Sequence, residues 1–156
     1  MYVFRNTNFW ATQIGIFRNN EEVGKIRYSH FNRSAEIIID QSVVEVNSTR
    51  WFSTSKVIMQ NGEETGNASF KMMSFKPRIE VWYRGRLFIL RAADMWHRKY
   101  DVYLGGQDLP IGSISKKGWF LNTYESELPG SVDLWFQAVM VTLLITLSTY
   151  QSAAAS

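Results

Sequence analysis

The sequence predicts a mostly β domain, a closed antiparallel barrel wrapped around one apolar C-terminal α-helix. Three observations carry that expectation. A hairpin unit recurs three times, short β-branched segments fill the intervals between its copies, and from residue 131 the chain switches to an almost continuous apolar run. A length of 156 residues fits one domain, 1–156, with a barrel over about 1–128 and a helix over about 131–150. Hydrophobic residues at 46% and charged ones at 20% match globular usage and exclude a disordered chain. Cysteine is absent, which excludes disulfides and thiolate sites and suits a reducing compartment.

The chain opens with Met1-Tyr2-Val3-Phe4-Arg5-Asn6-Thr7-Asn8, which lacks the apolar core of a signal peptide, so a cytoplasmic location is expected. The first copy of the hairpin runs from Trp10 to Ile26, the second from Trp51 to Ala68 and the third from Trp96 to Ile114. Each starts on Trp, passes through a strand, turns at Asn19-Asn20, Asn61-Gly62 or Gly105-Gly106, and returns to Gly24, Gly66 or Gly112. The turn residues are of the types that tolerate positive φ, as tight hairpins require. Equivalent positions in a repeat serve packing, so the three tryptophans are expected in the barrel core or at its rim.

Between the copies, Ala35–Ile39 and Ser42–Val46 flank Asp40-Gln41, and Ile79–Tyr83 meets Arg86–Leu90 across Arg84-Gly85. Both read as further hairpins rich in β-branched residues. Short strands at regular spacing indicate a sandwich or a barrel, and a barrel removes the edges that invite aggregation.

Pro129-Gly130 then breaks the strand pattern, Ser131 is placed to cap a helix, and Asp133 falls in its first turn, where the helix dipole favours a carboxylate. From Leu134 to Leu147 only Gln137, Thr142 and Thr146 interrupt the apolar run, and they do not form one wet face. Such a helix is either buried on all sides or inserted in a membrane. Acidic residues precede it and no Lys or Arg follows, which favours burial over spanning. A barrel holding this helix in its lumen needs more than about eight strands.

Net charge is +3, but between Lys71 and Lys99 eight cationic residues face only Glu80 and Asp94. Catalytic signals are weak. Asp94 and Asp101 flank His97, yet the segment leads into a strand, where the three side chains do not share a face. Neither His30 nor His97 has a second ligand at zinc spacing. Glu21-Glu22 and Glu63-Glu64 repeat beside equivalent turns and read as solvated turn residues. Only Trp96 has basic neighbours, Arg98 and Lys99, so nucleic acid is a disfavoured partner.

Ser74-Phe75-Lys76-Pro77-Arg78-Ile79-Glu80-Val81, Tyr100-Asp101-Val102-Tyr103-Leu104-Gly105-Gly106, the run Ile111 to Phe120, Tyr124 and the terminal apolar helix carry a further signal. In that order the chain resembles the LURP-one-related proteins of the tubby C-terminal-like superfamily, which includes the phospholipid scramblases. The resemblance is best over about residues 70–150. It implies a barrel of about twelve strands around the hydrophobic helix, and some tubby relatives bind phosphoinositides through basic side chains. Those positions have no residue-by-residue match in this chain, so no lipid site is carried over, and the chain lacks the Cys-rich segment of scramblases.

The resulting expectation is a non-enzymatic binding or scaffold domain, peripheral to a membrane, with anionic phospholipid as its candidate partner. The candidate contacts are Lys76, Arg78, Arg84, Arg86, Arg98 and Lys99. No cofactor and no metal are expected. The alternatives are a tail-anchored protein with a cytoplasmic β domain, and an enzyme whose site the sequence does not reveal.

Overall fold

Alternation of apolar and polar residues along each segment produces twelve strands, each with one face turned inward. A computed structural model describes residues 1–8, 12–29, 34–48, 54–71, 77–118 and 123–155. The strands are β1 (Tyr2–Asn6), β2 (Gln13–Arg18), β3 (Glu21–Tyr28), β4 (Ser34–Ile39), β5 (Ser42–Ser48) and β6 (Ser55–Gln60). They continue as β7 (Glu63–Lys71), β8 (Arg78–Tyr83), β9 (Arg86–Ala92), β10 (Lys99–Leu104), β11 (Gly112–Lys117) and β12 (Thr123–Glu127), followed by α1 (Leu134–Ala155). Every strand pairs antiparallel with its neighbours in sequence, and β1 closes the barrel on β12 with Tyr2 opposite Ser126. Trp10, His30, Trp51, Lys76 and Trp119-Phe120 lie outside the described residues.

The barrel has a turn end and a loop end. Four connections at the turn end are two-residue hairpins in which both central residues have positive φ: Asn19-Asn20, Asp40-Gln41, Asn61-Gly62 and Arg84-Gly85. Their backbone twist matches that of the paired strands. The first two copies of the hairpin share a bulge as well. Register shifts between Ile16 and Phe17 and between Ile58 and Met59, leaving Val23 and Thr65 as the extra residues. One position after each bulge lie Gly24 and Gly66, and in the third copy Gly112 holds the equivalent place. A Cβ on any of the three would collide with a carbonyl oxygen of the adjacent strand, that of Ile38, Trp82 or Glu127.

Inward-facing Phe4, Ile14, Ile16, Ile26, Ile37, Ile58, Ile79 and Leu90 form a lumen lining that α1 fills. Ala138 to Leu147 are buried without interruption, so the helix is the core of the barrel. Its polar side chains are satisfied in place. Ser126 Oγ donates to Gln137 Oε1 at 2.7 Å, Gln137 Nε2 donates to the Val132 carbonyl at 3.0 Å, and Thr142 and Thr146 donate to the carbonyls of Ala138 and Thr142.

Two expectations need correction. The helix runs from Leu134 to Ala155 instead of 131–150. Its cap is Asp133, whose Oδ1 accepts from the Phe136 amide at 2.7 Å, because Ser131 and Val132 lie in the turn before it. Trp96 lies at the rim, one of the two places expected for the tryptophans of the repeat, and is 80% exposed.

Candidate functional site

The barrel divides the basic middle of the chain between its two ends. Six steps along β8 separate Arg78 from Arg84, about 20 Å at the rise of a strand. Screening acts over about 8 Å at physiological salt, so cations at opposite ends do not act as one surface.

At the turn end, Arg84 lies 3.7 Å from Asp133 Oδ2, 3.2 Å from Gln60 Oε1 and over the Tyr83 ring. With Arg86, it flanks a cavity of about 230 Å³ walled by Phe88, Leu104, Ile111 and Phe136. Tyr83 stacks on Phe136 with ring centroids 4.6 Å apart, and burial pushes its phenol pKa up. Glu21, Glu22, Asp40, Glu63, Glu64 and Asp108 crowd the same end of the barrel. Against them stand Arg18, Arg84 and Arg86, so this end is acidic.

The loop end carries the opposite character. The β9–β10 connection is folded by Asp94, whose Oδ1 accepts from the amides of Arg98 at 2.8 Å and Lys99 at 3.3 Å. The turn presents Met95 and Trp96 to solvent, 89% and 80% exposed. Arg98 Nη2 donates to the Gly118 carbonyl at 3.0 Å, and the Gln151 side-chain amide lies 3.2 Å from His97 Nδ1, tying the tip to the far end of α1. Lys99 is exposed beside it. Arg78 projects from the outer wall near this end, 3.2 Å from Glu80 and opposite Arg91 in register.

Of the six predicted cations, the structure therefore brings together Arg98 and Lys99 at one end, and Arg84 and Arg86 at the other. Arg78 is held in an exposed ion pair, and Lys76 lies outside the described residues.

Behind Trp96 and Arg98 a second cavity of about 230 Å³ opens between α1 and strands β10 to β12. Lys116, Tyr100, Tyr124, Ser148 and Gln151 line it. Tyr100, Lys116 and Tyr124 stand in the segments that carry the resemblance, but none of the five was a site candidate from the sequence. Lys116 shares the parity of the buried Ile114, two residues before it, and that spacing was the available signal. Burial pushes the Tyr100 pKa up to about 12, with Asp94 adding to it, and raises that of Tyr124 further. Both phenols are hydrogen-bond donors throughout the neutral range. Among the described residues no three His, Cys, Asp or Glu side chains gather closely enough to hold a metal ion.

A protein from Arabidopsis thaliana solved by X-ray crystallography superposes with a TM-score of 0.66 over 94% of this chain and 91% of its own, at 15% identity. The fold is tubby C-terminal-like. At that identity the likeness defines architecture alone. No family sequence model matches the chain, and none of the curated proteins does. Among the described residues no helix is long and apolar enough to cross a membrane, and the apolar helix of this tubby-like barrel occupies the lumen.

Proposed function

We propose that the domain is a non-enzymatic binding module that docks its loop end onto an anionic lipid surface, facing a cytoplasmic leaflet. The observation that carries this reading is the pair Met95-Trp96, exposed at the tip of the Asp94 turn, with Arg98-Lys99 one residue further on after His97. Indole and thioether side chains partition into the headgroup layer, and each nearby cation adds about 1 kcal/mol on an anionic leaflet. The acidic turn end lies opposite, so an anionic surface attracts one end of the barrel and repels the other.

Flotation with phosphatidylcholine vesicles, with and without phosphatidylserine, tests the reading. Binding to anionic vesicles only, weakened by salt, is expected. Lys99→Glu and Met95→Asp each weaken it about ten-fold or more, whereas Arg86→Glu at the turn end does not. Absence of flotation, or equal loss with Arg86→Glu, would overturn it.

A further inference from the structure

We infer that the cavity at the loop end is a binding site for a small phosphomonoester, a molecule with a dianionic phosphate on a polar body. This goes beyond membrane docking and does not depend on it.

The cavity gathers donors and cations, with no acid among the described residues that line it. Arg98 and Lys116 supply two full positive charges, and His97, Ser148 and Gln151 add polar groups from the tip and from α1. Lys116 is half-buried and makes no ion pair with a described residue. Tyr100 and Tyr124 are 5% and 3% exposed, and their hydroxyls form no hydrogen bond to a described residue. Among the described residues the buried atoms left unpaired elsewhere are Asn6 Oδ1 and the hydroxyls of Tyr28 and Tyr83, whereas Tyr100, Tyr124 and Lys116 line open space, so their donors are available to an acceptor that enters the cavity.

A phosphate dianion suits those donors better than a carboxylate, because it offers three terminal oxygens and two charges for two cations and two phenols. The C-terminal pole of α1 lies four residues beyond Gln151 and contributes about half a negative charge, which two cations exceed. Size narrows the class. Drug-sized ligands occupy about 300–1,000 Å³. A volume of about 230 Å³ admits a headgroup or a small phosphorylated metabolite, and excludes acyl chains.

The test titrates the whole chain with glycerol 3-phosphate at constant ionic strength, read by amide chemical shifts, with sodium chloride as control. Saturable shifts confined to the neighbourhood of Tyr100, Lys116, Gly118 and Gln151 are expected. Lys116→Gln weakens binding about ten-fold or more, the loss of a hydrogen bond to a charged group. Tyr124→Phe, which removes one oxygen and keeps the ring, weakens it several-fold. Shifts that chloride reproduces, or that persist unchanged in both variants, would overturn the assignment. Met95→Asp separates the two readings, since it weakens flotation about ten-fold or more while leaving the response to glycerol 3-phosphate intact. Vesicles containing phosphatidic acid distinguish the sources of the phosphate. Preference for them over phosphatidylserine at equal charge, competed by glycerol 3-phosphate, identifies a lipid headgroup. Saturable binding of the soluble probe without that preference identifies a free phosphomonoester.

Discussion

Lys56 shows how far a single residue can depart from its sequence pattern. In Ser55-Lys56-Val57-Ile58-Met59-Gln60 the apolar residues fall on both parities, so alternation alone does not choose which set faces the lumen. A shift of one residue exchanges the faces. Pairing of Lys56 with Ala68 and of Ile58 with Gly66 turns the even set inward, and Lys56 is left 2% exposed with its ammonium donating to Ser48 Oγ. Burial pulls its pKa below the usual 10.5. Between the folded value and 10.5 the unfolded chain binds more protons, so stability rises with pH across that window. Lys56→Met is expected to stabilise the fold at pH 7 by about 1 kcal/mol or more and to flatten this rise. Urea unfolding of both proteins at pH 7 and pH 10 reads the effect. A less stable variant at pH 7 would mean that the polar contacts of the ammonium outweigh its desolvation.

At the level of the hairpin, the repeat was legible because its residues answer to backbone geometry. Asn19-Asn20, Asp40-Gln41, Asn61-Gly62 and Arg84-Gly85 all sit where two consecutive positive φ values are needed, and an Asn, Asp or Gly in each pair announces that need, whereas Gln41 and Arg84 do not. The recurring glycines are stricter still. Gly66 sits where the Trp82 carbonyl of β8 approaches the strand too closely for any side chain, whereas Gly62 faces open space with φ of 77°. Gly62→Ala is therefore expected to cost about 1 kcal/mol, the strain of a left-handed alanine. Gly66→Ala is expected to cost about 2–3 kcal/mol or more, because backbone must move. Thermal unfolding of the two variants separates them, and equal costs would show that β7 and β8 part easily. For Trp96 the repeat left core and rim open, for a related reason. Whether a residue at that place turns inward depends on the Asp94 turn, which no repeat period encodes.

The whole molecule is held by a dependence between barrel and helix. A barrel filled by its own side chains has about eight strands, and this one has twelve. That difference is the volume that Phe136 and Ala138 to Leu147 occupy. The sequence revealed both halves, many short strands and a helix apolar on every side, and each makes physical sense only with the other. The site was less legible, because it arises where α1 emerges between β10 and β12, and contacts such as Gln151 with His97 join residues far apart in the chain. The wall is complete only when β12 pairs with β1, and the helix that fills the lumen follows β12 in the chain. Deleting residues 131–156 is then expected to abolish the folded state, leaving a chain that binds hydrophobic dyes and unfolds without a cooperative transition. Supplying 131–156 as a separate peptide, with the shortened chain refolded around it, is expected to restore a cooperative melt. A shortened chain that melts cooperatively alone would show that the strands collapse onto one another, and that the helix is an occupant of the barrel instead of its core.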